Sequence, residues 1–226
     1  MENIELPGGS HHRIRYFKGM EEAAELSIDV FKPGARIALS GGSTYKELFR
    51  IWRETGTDLS KTEFFPVDER SVGFETCESN WGNAYRHFLK YIGRERDREN
   101  HMRSKEYYER LLSEKFGSGT PVFDTVFLGA GRDGHTASIF LRTLEQDQDQ
   151  GSVIETHSLE PPVSRITLTP GVISSAANVI TVVSGEGKQG VVKGIMEGNT
   201  DLPVVWVLSR CRDSEILIDS RLAKSG

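Results

Sequence analysis

Apolar and polar positions follow two rhythms along this chain, and the rhythm changes at glycine or proline. Ile4 to Leu6 and Arg13 to Phe17 read as two short strands around Pro7-Gly8-Gly9. Between Gly19 and Phe31 the apolar positions Ala23, Ala24, Leu26, Ile28 and Val30 lie among acids, which predicts a helix ended by Pro33-Gly34. Arg36 to Ser40 is a short apolar run, hence a strand. Tyr45, Leu48, Phe49 and Trp52 then recur at i, i+3, i+4, i+7, one face of an amphipathic helix, with Thr44 and Glu47 at capping-box spacing. Glu63 to Val67 predicts a strand. Trp81 to Leu89 predicts a helix with Ser79 or Asn80 as its cap, and Tyr107 to Phe116 a helix closed by Gly117. The intervening residues 93–106 are dominated by Arg, Glu and Asp and predict an exposed connection.

In the second half, Phe123 with Val126 to Leu128 reads as a buried strand closed by glycine. Thr136 to Leu141 predicts a short helical turn, and Gln146 to Gly151 a surface loop. Arg165 to Thr169 alternates as a strand that Pro170 stops, and Asn178 to Val183 predicts another. Val191, Val192, Ile195 and Met196 mark the apolar face of a helix. Leu202 to Leu208 and Ser214 to Ile218 predict two last strands. Strands alternating with helices over nearly the whole length predict an α/β fold: a single doubly wound, mostly parallel sheet with helices on both faces. No internal repeat and no Pro- or Ser-rich linker divides the chain, so one domain over residues 1–226 is expected.

Composition narrows the class. A hydrophobic content of 37% beside 27% charged residues fits a folded soluble chain rather than a disordered one. The net charge of -5 argues against nucleic acid as a partner, while leaving room for a local basic pocket. Cys77 and Cys211 make no disulfide framework, so a reducing, cytoplasmic location is expected. No apolar run approaches about 18 residues and the first residues lack a signal-peptide pattern, so no membrane partner is expected. His11 and His12 follow Pro7 to Ser10 and read as turn or strand-edge residues rather than ligands.

Candidate chemistry collects where predicted strands end, the edge at which open α/β sheets bind ligands. Gly41-Gly42-Ser43-Thr44 joins a strand to a helix. It is either an ordinary capped turn or a seat for phosphate, since a helix N-terminus offers free N–H groups and partial positive charge. Asp68-Glu69-Arg70 is either a solvated strand end or a set of site residues. In Gly129-Ala130-Gly131-Arg132-Asp133-Gly134-His135 the glycines allow close backbone approach or φ > 0. His135, two residues after Asp133, is either a hydrogen-bonded turn residue or an acid or base. Gly129, Gly131 and Gly134 also satisfy the dinucleotide fingerprint, but the long crossover helix and the later acid that it requires are absent. Lys188 falls in the first turn of a helix, where the dipole disfavours a cation. It is either a surface lysine or the partner of a bound anion that reverses that penalty.

Four segments together resemble the glucosamine-6-phosphate isomerase/6-phosphogluconolactonase family, and its lactonase branch in particular. They are Leu39 to Thr44; Val67-Asp68-Glu69-Arg70-Ser71-Val72 with Ser79-Asn80; Gly129 to Ser138; and Arg165 to Thr169 with Gly185 and Lys188. Tyr45, Gly73 and Leu141 stand where the family usually has proline, and residues 93–106 are shorter than usual; these positions bear on pocket shape more than on chemistry.

The resemblance implies hydrolysis of 6-phospho-D-glucono-1,5-lactone to 6-phosphogluconate, the second step of the oxidative pentose phosphate pathway, without metal or cofactor. It implies His135 as general base, Asp133 orienting it or nearby backbone, and backbone N–H groups of the glycine turn, Gly131 among them, as oxyanion donors. Arg70, Lys188 and the Gly41, Gly42, Ser43 and Thr44 segment would hold phosphate or developing charge, with Asp68 and Glu69 also at the substrate. The implied partner is a small phosphorylated sugar lactone; monomer and dimer both stay open. Two rivals are a glucosamine-6-phosphate deaminase and a non-catalytic sugar-phosphate-binding module. The deaminase also uses a Glu five residues after the His, where this chain has Phe140, and a Tyr where it has Arg70.

Overall fold

The computed structural model describes residues 2–141 and 151–223. Among the described residues, ten strands form two sheets. The larger has seven strands in the order β1 (Glu2–Leu6), β2 (Ser10–Phe17), β10 (Asp213–Asp219), β9 (Val179–Val183), β6 (Thr125–Gly129), β3 (Arg36–Leu39) and β4 (Glu63–Pro66). Only the β1–β2 pair is antiparallel; every other neighbouring pair is parallel. This is the expected mostly parallel sheet. A second, antiparallel sheet of β5 (Asp68–Arg70), β8 (Ser164–Leu168) and β7 (Val153–His157) was not foreseen.

Alternation along the central strands sorts the core into two faces. Ile37, Leu39, Phe127, Ile180, Val182 and Leu217 point to one side. There they meet α1 (Met20–Ser27), α2 (Ser43–Glu54) and α3 (Asn80–His87). Ala38, Val126, Leu128, Val183, Ile216 and Ile218 point to the other. That face is covered by α4 (Lys105–Phe116), α5 (Pro170–Ser174), α6 (Gln189–Met196), α7 (Pro203–Ser209) and α8 (Ser220–Ala223). Helices therefore flank both faces. The stripe of α2 is fully used: Tyr45, Leu48, Phe49 and Trp52 are all buried, each contributing roughly 1.5–3 kcal/mol relative to exposure. Trp52 meets Phe31 edge-on at 5.0 Å and Phe127 at 5.2 Å, so α2 is locked onto β6 through aromatic contacts.

Several local expectations are corrected. Residues 202–208 form no strand: Pro203 opens α7, with its ring at the first helical position, where a missing N–H costs nothing. The charged stretch 93–106 is exposed as expected at Glu95, Arg96, Arg98, Glu99 and Arg103, but Arg94, Asp97, Asn100 and Met102 are buried. Arg94 is fully buried and grips Asp97 with two hydrogen bonds of 2.9 and 2.6 Å, while Asp97 also accepts the Phe64 N–H. Thr44 and Glu47 make no capping box, because the helix already starts at Ser43 with Gly42 at its N-cap. After His135 the chain makes no helical turn but a tight turn closed by pairing of Thr136 with Ile139. Asp68 to Arg70 is itself a strand rather than a solvated strand end. The loop expected over residues 146–151 lies outside the described residues except for Gly151.

Candidate active site

The loops after β3, β6 and β9 leave the same edge of the large sheet, and β5 closes them from the side. Together they enclose a cavity of about 320 Å³. Gly41, Gly42, Ser43, Thr44, Asp68, Arg70, Gly131, His135 and Lys188, all named from the sequence, line it; Asp133 and Glu69 are not among the lining residues. Asn80 and Arg132 also line it; both lie in segments that carry the family resemblance, but neither was given a site role. Arg132 lies inside the glycine turn beside Asp133, the one signal that could have flagged it.

Strand alternation explains why one charged triplet does two jobs. Asp68 and Arg70 share the face of β5 toward the cavity. Asp68 is buried and accepts a hydrogen bond from Ser138 Oγ at 2.7 Å. Burial pushes its carboxyl above the usual aspartate range, and the Glu69 charge adds to this against the Ser138 hydrogen bond. Arg70 is braced by one hydrogen bond from Nη1 to the Glu78 carbonyl at 2.9 Å. Glu69 points the opposite way and is fully buried. Its carboxylate accepts from the N–H groups of Arg70 (2.7 Å), Asn80 (2.7 Å) and Trp81 (2.8 Å) and from Ser79 Oγ (2.8 Å). Burial alone would raise its pKa, but the nearby His101 ring and these backbone donors outweigh that and hold it below the usual glutamate range. Glu69 thus serves the N-terminus of α3 and does not reach substrate space, against the expectation that it binds substrate.

Asn80, fixed by Glu69, links two walls of the cavity. Its Nδ2 donates to the Asp68 carbonyl at 3.3 Å. Its side chain also lies where a Cβ on Gly41 would come, 2.2 Å from Oδ1. Gly41 is therefore required for close approach, and Gly42 for a different reason: its φ is +89°. No side chain caps the helix that follows, so the first N–H groups of α2 stay open toward the cavity.

The glycine turn holds the histidine. Asp133 Oδ1 accepts from His135 Nδ1 at 2.5 Å and from the His135 backbone N–H at 3.2 Å. The His135 hydrogen bond is the main reason the Asp133 carboxyl lies below its usual range. An ionised carboxylate only accepts, so the proton sits on Nδ1 and the lone pair on Nε2. A Cβ at Gly131 would lie 2.2 Å from His135 Nδ1, so only glycine leaves room for this pair. The Phe140 ring packs on the imidazole at 5.0 Å. The N–H groups of Gly131 and Gly134 are spent inside the turn, on His135 O at 2.7 Å and Gly131 O at 3.1 Å. With the His135 N–H also engaged, these three amides are not free to donate to an oxyanion. Helix α7 braces the turn from behind: the Val204 N–H donates to Gly134 O at 2.9 Å. Tyr45 floors the cavity, fully buried with its hydroxyl donating to Leu128 O at 2.8 Å.

Lys188 stands at the N-cap of α6. Burial pushes its ammonium below the usual lysine range, and the Arg132 charge pushes the same way. Among the described residues no group of three or more His, Cys, Asp or Glu is placed to hold a metal ion.

A larger groove, about 500 Å³, opens at the opposite edge of the sheet among His11, His12, Asn178 and Asp213. Its size does not make it the better candidate. It lies at the amino ends of β9 and β10, and its buried histidine has both ring nitrogens engaged by serine hydroxyls.

The geometry can be set beside known proteins. The sequence model of the family described as glucosamine-6-phosphate isomerases/6-phosphogluconolactonase matches residues 15–217. The 6-phosphogluconolactonase of Homo sapiens is 32% identical over 182 residues, covering 74% of this chain and 70% of that protein. That of Treponema pallidum is 31% identical over 192 residues, covering 77% and 78%. The solved 6-phosphogluconolactonase from Trypanosoma brucei superposes with a TM-score of 0.80 at 28% identity, over 94% of this chain and 97% of that one. A monomeric glucosamine-6-phosphate deaminase shares the fold, with a TM-score of 0.71 at 21% identity over 93% of this chain and 98% of its own. This chain belongs to the glucosamine-6-phosphate isomerase/6-phosphogluconolactonase family.

Proposed function

We propose that this chain hydrolyses 6-phospho-D-glucono-1,5-lactone to 6-phospho-D-gluconate, the second step of the oxidative pentose phosphate pathway, by histidine-assisted attack of water. The observation that carries this reading is the Asp133–His135 pair at a cation-lined cavity, with Phe140 rather than a carboxylate against the imidazole. A lactone is an activated ester, and its opening needs a base for water, a partner for the developing oxyanion and an anchor for the phosphate. His135 Nε2 takes the proton from water as the oxygen attacks the lactone carbonyl. Asp133 holds the ring in the required tautomer and steadies the imidazolium that forms. Arg70, with only Nη1 committed to Glu78, faces the oxyanion; the same imidazolium then returns its proton to the leaving ring oxygen. Lys188 and the open amides of α2 take the phosphate, where the helix dipole favours it.

Deamination needs a carboxylate that assists ring opening, and an apolar ring at that position cannot move a proton. The assay that decides measures acid release from the lactone, corrected for spontaneous opening, beside ammonia release from glucosamine 6-phosphate. Acid release above the spontaneous rate without ammonia is the expected result. Ammonia at a rate comparable with lactone hydrolysis overturns the reading, and binding of 6-phosphogluconate without any acceleration reduces the protein to a sugar-phosphate-binding module.

A further inference from the structure

We propose that Arg132 is a specificity-determining residue that, together with Lys188, makes the cavity select a doubly charged phosphate ester over a singly charged anion. The proposal deepens the functional reading above and rests on it for the identity of the site. Arg132 projects from the middle of the glycine turn after β6 and lines the cavity. Its Nε donates to the Glu186 carbonyl at 3.2 Å, which ties the guanidinium to the loop that leads into α6. The contact with that loop is close: a Cβ on Gly187 would come within 3.3 Å of Nε and 3.4 Å of Cδ. Gly187 has a φ of +78° and directly precedes Lys188. Two loops from two different strands thus bring an arginine and a lysine to one wall.

No carboxylate among the described residues is ion-paired with that wall. Neither Lys188 nor Arg132 makes an ion pair among the described residues. Glu186 contributes its carbonyl to Arg132 rather than its carboxylate. The two acids nearest the cavity are engaged elsewhere, Asp133 with His135 and Asp68 with Ser138. Burial, and after it the Arg132 charge, push the Lys188 ammonium below the usual lysine range. Like charges side by side are unfavourable in the empty site, and the cost falls as negative charge enters between them. A single negative charge satisfies one cation and leaves the other. A phosphate dianion satisfies both, with the planar fork of Arg132 spanning two oxygens and Lys188 acting as a point charge.

The test is binding of two ligands that share a sugar and differ in charge: glucose 6-phosphate, largely a dianion at pH 7.5 or so, and glucose 6-sulfate, a monoanion. Dissociation constants are measured by calorimetry for the parent and for Arg132→Met and Arg132→Lys. Arg132→Met is expected to weaken glucose 6-phosphate about tenfold, the scale of one charged hydrogen bond, and glucose 6-sulfate far less. Arg132→Lys should recover part of the phosphate affinity, because it restores charge without the fork. A residue that only braces the Gly185–Gly187 loop would weaken both ligands equally and would not be rescued by lysine. Equal losses on both ligands, or no loss on phosphate, overturn the proposal. Binding needs no turnover, so a protein that selects phosphate through Arg132 yet fails to hydrolyse the lactone refutes the lactonase reading and leaves this one standing.

Discussion

The two edges of the large sheet each carry a histidine, and they make opposite use of it. At the amino edge His12 is buried, with Nδ1 bonded to Ser214 Oγ at 2.6 Å and Nε2 to Ser10 Oγ at 2.7 Å. Burial pushes its pKa down from 6.5 to about 4, against the Asp213 charge and with the His11 charge. It is neutral at pH 7, and neither nitrogen is left for a ligand. At the carboxyl edge His135 is half-buried, commits one nitrogen to an ionised aspartate and turns the other to a cavity. Reactivity is decided by the partner and by the nitrogen left over, not by the presence of an imidazole. The larger groove belongs to the histidine with both nitrogens engaged and the smaller one to the histidine with a nitrogen left over.

This contrast is most directly broken at His135. His135→Asn should lower kcat by roughly 10²-fold or more with little change in KM, since a positioned base contributes about 10²–10⁴ and phosphate is held elsewhere. Initial-rate assays fast enough to subtract spontaneous opening decide it; a folded variant with near-parental kcat removes His135 from the mechanism. Lys188→Ala should come next, raising KM for the phosphorylated lactone about tenfold through loss of a charged hydrogen bond. The unphosphorylated lactone, already a poor substrate, should barely register the change; equal losses on the two lactones would show that Lys188 does not read phosphate.

Glu69→Gln tests support rather than chemistry. It is expected to lower unfolding stability by about 1–3 kcal/mol, because buried donors lose their acceptor, as urea titration at neutral pH will show. The parent carboxyl is depressed in the folded state. Its contribution is therefore complete above the ordinary glutamate range and is lost as pH falls through the folded value, so the gap between parent and variant should close in acid. A gap that widens in acid would contradict the assignment.

The smallest effect on activity is expected at the other edge. His12→Gln should leave kcat at the parental level. Its folded-state pKa lies below its unfolded one, so between about pH 6.5 and 4 the unfolded chain binds the extra proton and the parent loses stability as pH falls. The variant should lack that part of the loss. A drop in kcat comparable with that of His135→Asn would erase the distinction between the edges.

What could be read from the sequence followed local rules, and what could not depended on distant partners. The strand–glycine–helix unit from Arg36 to Glu54 has a single period and a clear breaker, and it folds as its pattern implies. Pro203-Val204-Val205-Trp206-Val207-Leu208 has no period to read, because it is buried on nearly every side; its β-branched run suggests a strand, and only Pro203 signals a helix start. Arg94 and Asp97 look solvated because charge usually is, and nothing local announces that Ser60 O and the Phe64 N–H wait to satisfy them. In the site, the glycine turn and the Gly-Gly-Ser-Thr segment were legible by composition. The different fates of Asp68, Glu69 and Arg70 were not, because they depend on pairing with a strand about a hundred residues away. Arg132 was hidden for a related reason, since its neighbours Glu186 and Gly187 come from another loop.

The placement of Glu69 has a consequence for how the protein breathes. Three amide protons, those of Arg70, Asn80 and Trp81, share its one carboxylate. In deuterated solvent the exchange of each is slowed while that acceptor is in place. An opening that withdraws the carboxylate exposes all three at once and also loosens the Asn80 side chain that donates to the carbonyl of Asp68. Deuterium uptake at these three residues is therefore a clock for the integrity of the cavity wall built on Asp68 and Asn80, readable with no substrate present.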